Sequence, residues 1–325
     1  MKRFFDFPDS LLRDLQNINQ RRTNLPPPPQ PAKIEIYSEH LENIRAVLWD
    51  VYGTLCGVDV GDLEKSMQNT DRLTIAAEET IAEFGLAQSF QLMFPQHSPA
   101  VALRDLYLRL IDHSHLRSLA MGIEYPEVII EKIWETILTQ CLQVGYQPSR
   151  KESTLFTAYR WAYFFDHKLQ HTYLYPHALV CLQALKQAGI IQGIISNAQF
   201  YTPLHLRRLL CHVSKEDSVE LQDYFSEPLV LFSYELGYSK PNSRAFQKAI
   251  DILSRQGIAP DEILYIGNDM LNDIWTAKKN GIKAMLYAGD HTQINLREDE
   301  PRCVNLRADA VVTDMTQIIT ILINR

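Results

Sequence analysis

The chain has 325 residues, 46% of them hydrophobic, with 16 prolines and a net charge of −7. That length exceeds one compact domain and predicts a core fold carrying a substantial insert. The acidic balance offers no electrostatic footprint for nucleic acid, and the sequence holds neither a signal-peptide stretch nor an apolar run long enough to span a bilayer, so neither kind of partner is expected.

Residues 1–43 read as an N-terminal arm. Asp9-Ser10 is placed to cap a short helix through Leu11, Leu12 and Leu15, and Pro26-Pro27-Pro28-Pro29-Gln30-Pro31 imposes a stiff, extended spacer. The apolar run from Ile44 to Trp49 then predicts a buried strand ending at Asp50, where Val51-Tyr52-Gly53-Thr54-Leu55 breaks the chain into a tight turn. From residue 58 to 172 the apolar spacing becomes helical, as in Leu103-Leu106-Leu110 and in Ile129-Ile130-Ile133-Trp134-Ile137-Leu138, which predicts an all-helical insert. Within it, Tyr159, Trp161, Tyr163, Phe164 and Phe165 read as core packing. A Gly and Pro turn around Gly122 and Pro126 follows Arg117, the candidate in this block for meeting an anionic group.

The α/β pattern resumes at Tyr175-Pro176. A helix from His177 to Ala188 leads through Gly189 into a strand from Ile190 to Ile195 that ends at Ser196-Asn197. Strands follow at Leu229 to Phe232, Ile263 to Ile266, Ala284 to Tyr287 and Ala310 to Val312, separated by helical patterns over Ser243 to Gln256 and Asn272 to Asn280. Such alternation implies parallel βαβ units with right-handed crossovers. The expected class is α/β: a Rossmann-like parallel-sheet core over 44–57 and 173–325, with an inserted all-helical cap domain over 58–172.

Four polar clusters each fall just after an apolar strand: Asp50 with Thr54, Ser196-Asn197, Lys240-Pro241, and Gly267-Asn268-Asp269-Met270-Leu271-Asn272-Asp273. A parallel sheet delivers such strand ends to one rim. Around a phosphoryl group, Asp50 is the nucleophile, the Ser196 hydroxyl and nearby backbone N–H groups bind its oxygens, and Lys240 offsets the repulsion between two anions. Asp269 and Asp273, spaced i, i+4, are expected to join Asp50 in a three-carboxylate Mg2+ site. Cys56, Cys141, Cys181, Cys211 and Cys303 stand far apart with no Cys-x-x-Cys pair, which fits a reducing cytoplasm.

In order and spacing these clusters resemble the signatures of the haloacid dehalogenase superfamily, over roughly residues 44–57 and 174–313. The helical block is similar to that family's α-helical cap. The resemblance implies a catalytic set of Asp50, Tyr52, Thr54, Ser196 and Lys240, substrate binding by Ser196, Asn197 and Arg117, and a Mg2+ set drawn from Asp50, Tyr52, Asn268, Asp269 and Asp273. Two positions depart from the pattern of the family's phosphatases. Tyr52 stands where they carry an acid–base Asp, as in members that cleave carbon–halogen bonds, and an unperturbed phenol with a pKa of about 10 does not replace that carboxylate. Asn268 stands where many relatives have an Asp; either Asp269 binds the metal with a one-residue shift, or Asn268 is a neutral ligand with Asp269 behind it. The expected function is a Mg2+-dependent phosphatase that acts on a small anionic metabolite through an aspartyl-phosphate on Asp50. The alternatives are a metal-independent 2-haloacid dehalogenase and a catalytically impaired binding protein.

Overall fold

The computed structural model describes residues 11–13, 15, 28–38, 41–59, 69–216 and 219–323. The chain divides into two units, one of Met1–Pro26 with Leu63–His171 and one of Pro27–Asp62 with Thr172–Arg325. Among its described residues the second unit holds nine strands: β1 (Tyr37–Ser38), β2 (Ala46–Trp49), β3 (Cys56–Val58), β4 (Thr172–Leu174), β5 (Ile191–Ser196), β6 (Val230–Phe232), β7 (Ile263–Gly267), β8 (Lys283–Tyr287) and β9 (Ala310–Val312). Seven of them form one sheet in the order β1-β9-β8-β7-β2-β5-β6, parallel at every pairing except β1 with β9. Every residue of β2 and β7 is buried. Continuous apolar sequence, rather than alternation, is what a parallel strand covered on both faces requires.

The first unit is helical: α1 (Thr70–Phe84), α2 (Ala87–Met93), α3 (Pro99–Ala120), α4 (Ile130–Gln143) and α5 (Thr154–Leu169). Side chains of Asn69, Ser98 and Ser153 accept backbone N–H groups at the starts of α1, α3 and α5, meeting donors that a helix leaves unpaired. Its core is aromatic. Trp134 lies 5.6 Å from Tyr107, 5.1 Å from Phe165 and 6.4 Å from Trp161, ring centre to ring centre. Trp161, Tyr163, Phe164 and Phe165 are all buried in α5, and Tyr159 is half-buried.

Around the sheet lie α6 (Ala178–Gln187), α7 (Thr202–Ser214), α8 (Ser233–Leu236), α9 (Arg244–Ser254), a π-helical turn (Met270–Trp275) running into α10 (Thr276–Lys279), and α11 (Met315–Leu322). Buried faces of α9 and of the π-helical turn pack Phe246, Leu253 and Ile274 against Leu48, Ile263 and Tyr265 of the sheet. No helix among the described residues is long and apolar enough to cross a membrane.

The expected N-terminal arm adds a strand to the sheet in its described part. Tyr37 and Ser38 form the antiparallel edge strand opposite Val311 and Ala310, and the Tyr37 hydroxyl donates to the Ala308 carbonyl at 3.0 Å. A two-residue strand is too short to show alternation in sequence. Leu11 and Leu15 are buried, while the Asp9-Ser10 cap and Pro26-Pro27 lie outside the described residues. The antiparallel β3–β4 ribbon, which pairs Cys56 with Leu174 and Val58 with Thr172, escapes notice for the same reason.

The order of strands places the site. From β2 the chain steps to β5 and β6 on one side, then returns to β7, β8 and β9 on the other. Where the winding reverses, the carboxyl ends of β5, β2 and β7 border one crevice.

Candidate active site

Asp50 follows β2 at this crevice, and Lys240 reaches it from the loop after α8. Asn197, next to the end of β5, holds that loop: its Oδ1 accepts the Lys240 N–H at 2.7 Å and its Nδ2 donates to the Lys240 carbonyl at 3.3 Å. Lys240 Nζ donates to Asp50 Oδ1 at 2.8 Å, to Asp273 Oδ1 at 2.6 Å and to the Tyr265 hydroxyl at 2.9 Å. An ammonium group has three hydrogens, so this one is fully committed. Asp50, Lys240, Asp273 and Tyr265 are all buried. Burial works to lower the Lys240 pKa, but the charges of Asp273 and then Asp50 outweigh it and the net shift is upward. Burial also drives Asp273 up to about 7, against the pull of Lys240 and with Asp50 and Asp269 adding to it.

Four groups at the Asp50 crevice are open or weakly held. Its second carboxylate oxygen takes no hydrogen bond among the described residues. The backbone N–H groups of Val51 and Asn197, just past the ends of the neighbouring strands β2 and β5, donate to no acceptor there. The buried Ser196 hydroxyl makes only a 3.3 Å contact with the Asn197 carbonyl. The Asn197 amide side chain is spent on Lys240, so what Asn197 offers an incoming oxygen is its backbone N–H.

Among the described residues no group of three His, Cys, Asp or Glu side chains is placed to hold an ion. Asp269 caps the π-helical turn, its Oδ1 accepting from Leu271 N and Asn272 N at 2.8 and 2.9 Å, while Arg297 grips its Oδ2 through Nε and Nη2 at 3.0 and 2.7 Å. Asp273 gives Oδ1 to Lys240 and accepts the Asp269 N–H on Oδ2 at 2.9 Å. Gly267 permits this fold-back, since a Cβ there would lie 2.3 Å from the Asp273 carboxyl carbon.

Asn268 is the member of the fourth cluster that meets the Asp50 turn. Its Oδ1 accepts from Thr54 Oγ1 at 3.3 Å, and its amide occupies the space that a Cβ on Gly53 would need. Its Nδ2 donates to the Gln293 carbonyl at 2.7 Å, which fixes the amide oxygen on the other side. The buried Thr54 hydroxyl is thus engaged with Asn268. Gln293 also donates through Nε2 to the Val58 carbonyl at 2.8 Å, and nearby Asp290 accepts both the Tyr173 and Tyr175 hydroxyls at 3.0 Å.

Tyr52 turns its hydroxyl to Thr202 Oγ1 at 3.0 Å and His205 Nδ1 at 3.3 Å, both buried residues of α7. Arg117 lies exposed in the last turn of α3, in the helical unit. Sequence reasoning missed Tyr265, Gln293, Arg297, Thr202 and His205. Tyr265 carried a signal: a phenol inside the otherwise apolar strand Ile-Leu-Tyr-Ile-Gly needs a buried partner for its hydroxyl.

A family model described as a haloacid dehalogenase-like hydrolase matches residues 44–281. The chain is 28% identical over 159 residues to a glyceraldehyde 3-phosphate phosphatase of Pyrococcus furiosus, covering 48% of this chain and 58% of that protein. It is 30% identical over 112 residues to a phosphoglycolate phosphatase of Salmonella choleraesuis, covering 34% and 38%. The chain thus spans less than two thirds of the length of these curated relatives. In fold it is similar to a crystal structure of a 2-haloacid dehalogenase from Pseudomonas syringae, with a TM-score of 0.53, 19% identity, and 86% and 97% of the two chains covered.

Proposed function

The chain belongs to the haloacid dehalogenase-like hydrolases, and we propose that it is a phosphatase acting on a small phosphorylated metabolite through an aspartyl-phosphate on Asp50. The observation that carries this reading is the unequal state of the two Asp50 oxygens. Oδ1 is held by Lys240, whereas Oδ2 and the N–H groups that follow β2 and β5 meet no partner among the described residues. A carboxylate fixed on one side and open on the other suits in-line attack, because positioning and electrostatics supply most of the catalysis in phosphoryl transfer.

In the proposed reaction, Asp50 Oδ2 attacks phosphorus and the bond from phosphorus to the leaving oxygen breaks. The N–H groups of Val51 and Asn197 and the Ser196 hydroxyl take the equatorial oxygens. Lys240 spends its hydrogens on protein groups, so it orients Asp50 and supplies field rather than a hydrogen bond to substrate. Water then attacks the aspartyl-phosphate, which releases phosphate and restores Asp50. Tyr52 stands where an acid would protonate the leaving group, which favours substrates whose leaving group departs as a stable anion, acyl phosphates among them. The similarity to two named phosphatases supports the class.

Mg2+ belongs to this reading with a smaller donor set than three carboxylates. The chain's oxygen that would fit it is the amide oxygen of Asn268 beside the Asp50 turn, with water and substrate completing the six that this ion prefers and Asp50 Oδ2 left for phosphorus. When bound, Mg2+ would offset charge on the phosphoryl group. The five unpaired cysteines are in keeping with a reducing, cytoplasmic setting.

A panel of phosphorylated metabolites and 2-haloacids, assayed with Mg2+ and with chelator, tests the proposal. Phosphate release that chelator abolishes and Asp50→Asn removes is the expected result. Tyr52 and the commitment of Asp269 and Asp273 favour a second reading, metal-independent dehalogenation of a 2-haloacid. Halide release that survives chelator would replace the first reading with that one.

A further inference from the structure

Tyr265 is the one member of the buried quartet that no motif marks. It lies in the middle of β7 with its ring against Phe246, 4.8 Å between ring centres, and the Lys240 ammonium stands 5.5 Å from its ring centre. Its hydroxyl is 2.7 Å from the Ile195 carbonyl, 2.9 Å from Lys240 Nζ and 3.1 Å from Asp273 Oδ1. A phenol has one hydrogen, and the shortest of these contacts claims it for Ile195. The oxygen lone pairs therefore face Lys240 and receive the third ammonium hydrogen.

That arrangement fixes an orientation. With Asp50 and Asp273 as its only acceptors, the ammonium would keep one hydrogen without a partner in a buried site; a third acceptor anchored to the backbone of β5 takes that hydrogen and fills the set. The anchor is rigid, because Ile195 and Tyr265 belong to strands that flank β2 on either side. We propose that Tyr265 is a positioning residue, whose hydroxyl pins the Lys240 ammonium and, through it, the Asp50 carboxylate in the attacking orientation. The proposal rests on the phosphatase reading for its kinetic consequence but not for its structural one.

Tyr265→Phe removes the hydroxyl and keeps the ring contacts. With wild-type protein and a substrate from the panel, kcat is expected to fall roughly 10- to 100-fold, the scale of a misplaced nucleophile, while KM stays within about twofold. Phe246→Leu serves as the comparison, because it loosens the same packing with the hydroxyl in place; it should lower the melting temperature and leave kcat near wild type. A second readout needs no substrate. The buried Lys240 ammonium, observed by 15N-edited NMR and assigned by its loss in Lys240→Arg, should exchange hydrogen with water faster in Tyr265→Phe than in wild type. Unchanged kcat, a joint loss of kcat and KM that tracks melting temperature in both variants, or unchanged ammonium exchange would overturn the proposal. If wild type releases no phosphate from any substrate, the functional reading fails by itself and the ammonium measurement still decides the role of Tyr265.

Discussion

Lys240 sets the chemistry at the scale of single residues, because one ammonium neutralises two buried carboxylates at 2.8 and 2.6 Å. Replacing it with Met leaves both without a cation in a dry site, which typically costs about 3–5 kcal/mol. Urea denaturation at pH 8 should show that loss together with complete loss of turnover. Asp273 adds a pH dependence. Its folded pKa of about 7 lies above its ordinary 3.8, so between those values the folded protein holds a proton that the unfolded chain releases. The stability tied to this proton is complete below 3.8 and is lost as pH rises through about 7. Asp273→Asn should therefore lose less stability than wild type between pH 5 and pH 8; equal losses would remove Asp273 as the source. Asp50 and Ser196 stand out in the sequence because they lie at the ends of apolar strands, and Lys240 and Asp273 because they sit in the polar clusters beyond two more. The partners of Asp269 do not, since Arg297 sits in a loop whose path no periodicity encodes.

The π-helical turn shows at the scale of an element what sequence spacing conveys and what it conceals. Helical spacing over Asn272 to Asn280 marked the element, yet a plain helix opening at Asp273 would have aimed Asp269 and Asp273 at one ion. Instead Asp269 caps the turn, and the wider winding folds Asp273 back onto Lys240 and the Asp269 N–H. Asp269→Asn keeps the capping oxygen and loses the ionic pairing with Arg297. It should cost about 1 kcal/mol and leave turnover within a few-fold. Asn268→Ala should instead raise the Mg2+ concentration needed for half-maximal activity, because it removes the amide oxygen beside the Asp50 turn. If Asp269→Asn proves the more damaging to Mg2+ dependence, the assignment of the two residues must be exchanged. The same contrast applies to Gly53, where φ is +81° and a Cβ would lie 2.2 Å from the Asn268 amide nitrogen. Gly53→Ala should lower both stability and turnover by displacing Asn268.

Across the whole molecule, each unit carries its own core, and the two were legible to different degrees. The helical character of the first unit follows from apolar spacing in Leu103-Leu106-Leu110 and in Ile129 to Leu138, whereas the helix starts capped by Asn69, Ser98 and Ser153 do not. The parallel sheet follows from alternating strand and helix patterns, whereas β1, β3 and β4 are too short to leave a pattern. Trp134→Ala should destabilise the helical unit by about 3–5 kcal/mol, since its ring meets Tyr107, Trp161 and Phe165; calorimetry would register the shift.

Both strands of the β3–β4 ribbon are moored to one loop of the sheet unit, Val58 to Gln293 and Tyr173 and Tyr175 to Asp290. The polypeptide between them leaves and re-enters through a doorway whose frame is tied, through Gln293, to the Asn268 amide. A foreign module spliced between those jambs would leave Asp50, the Lys240 ammonium and the Asn268 amide unaltered.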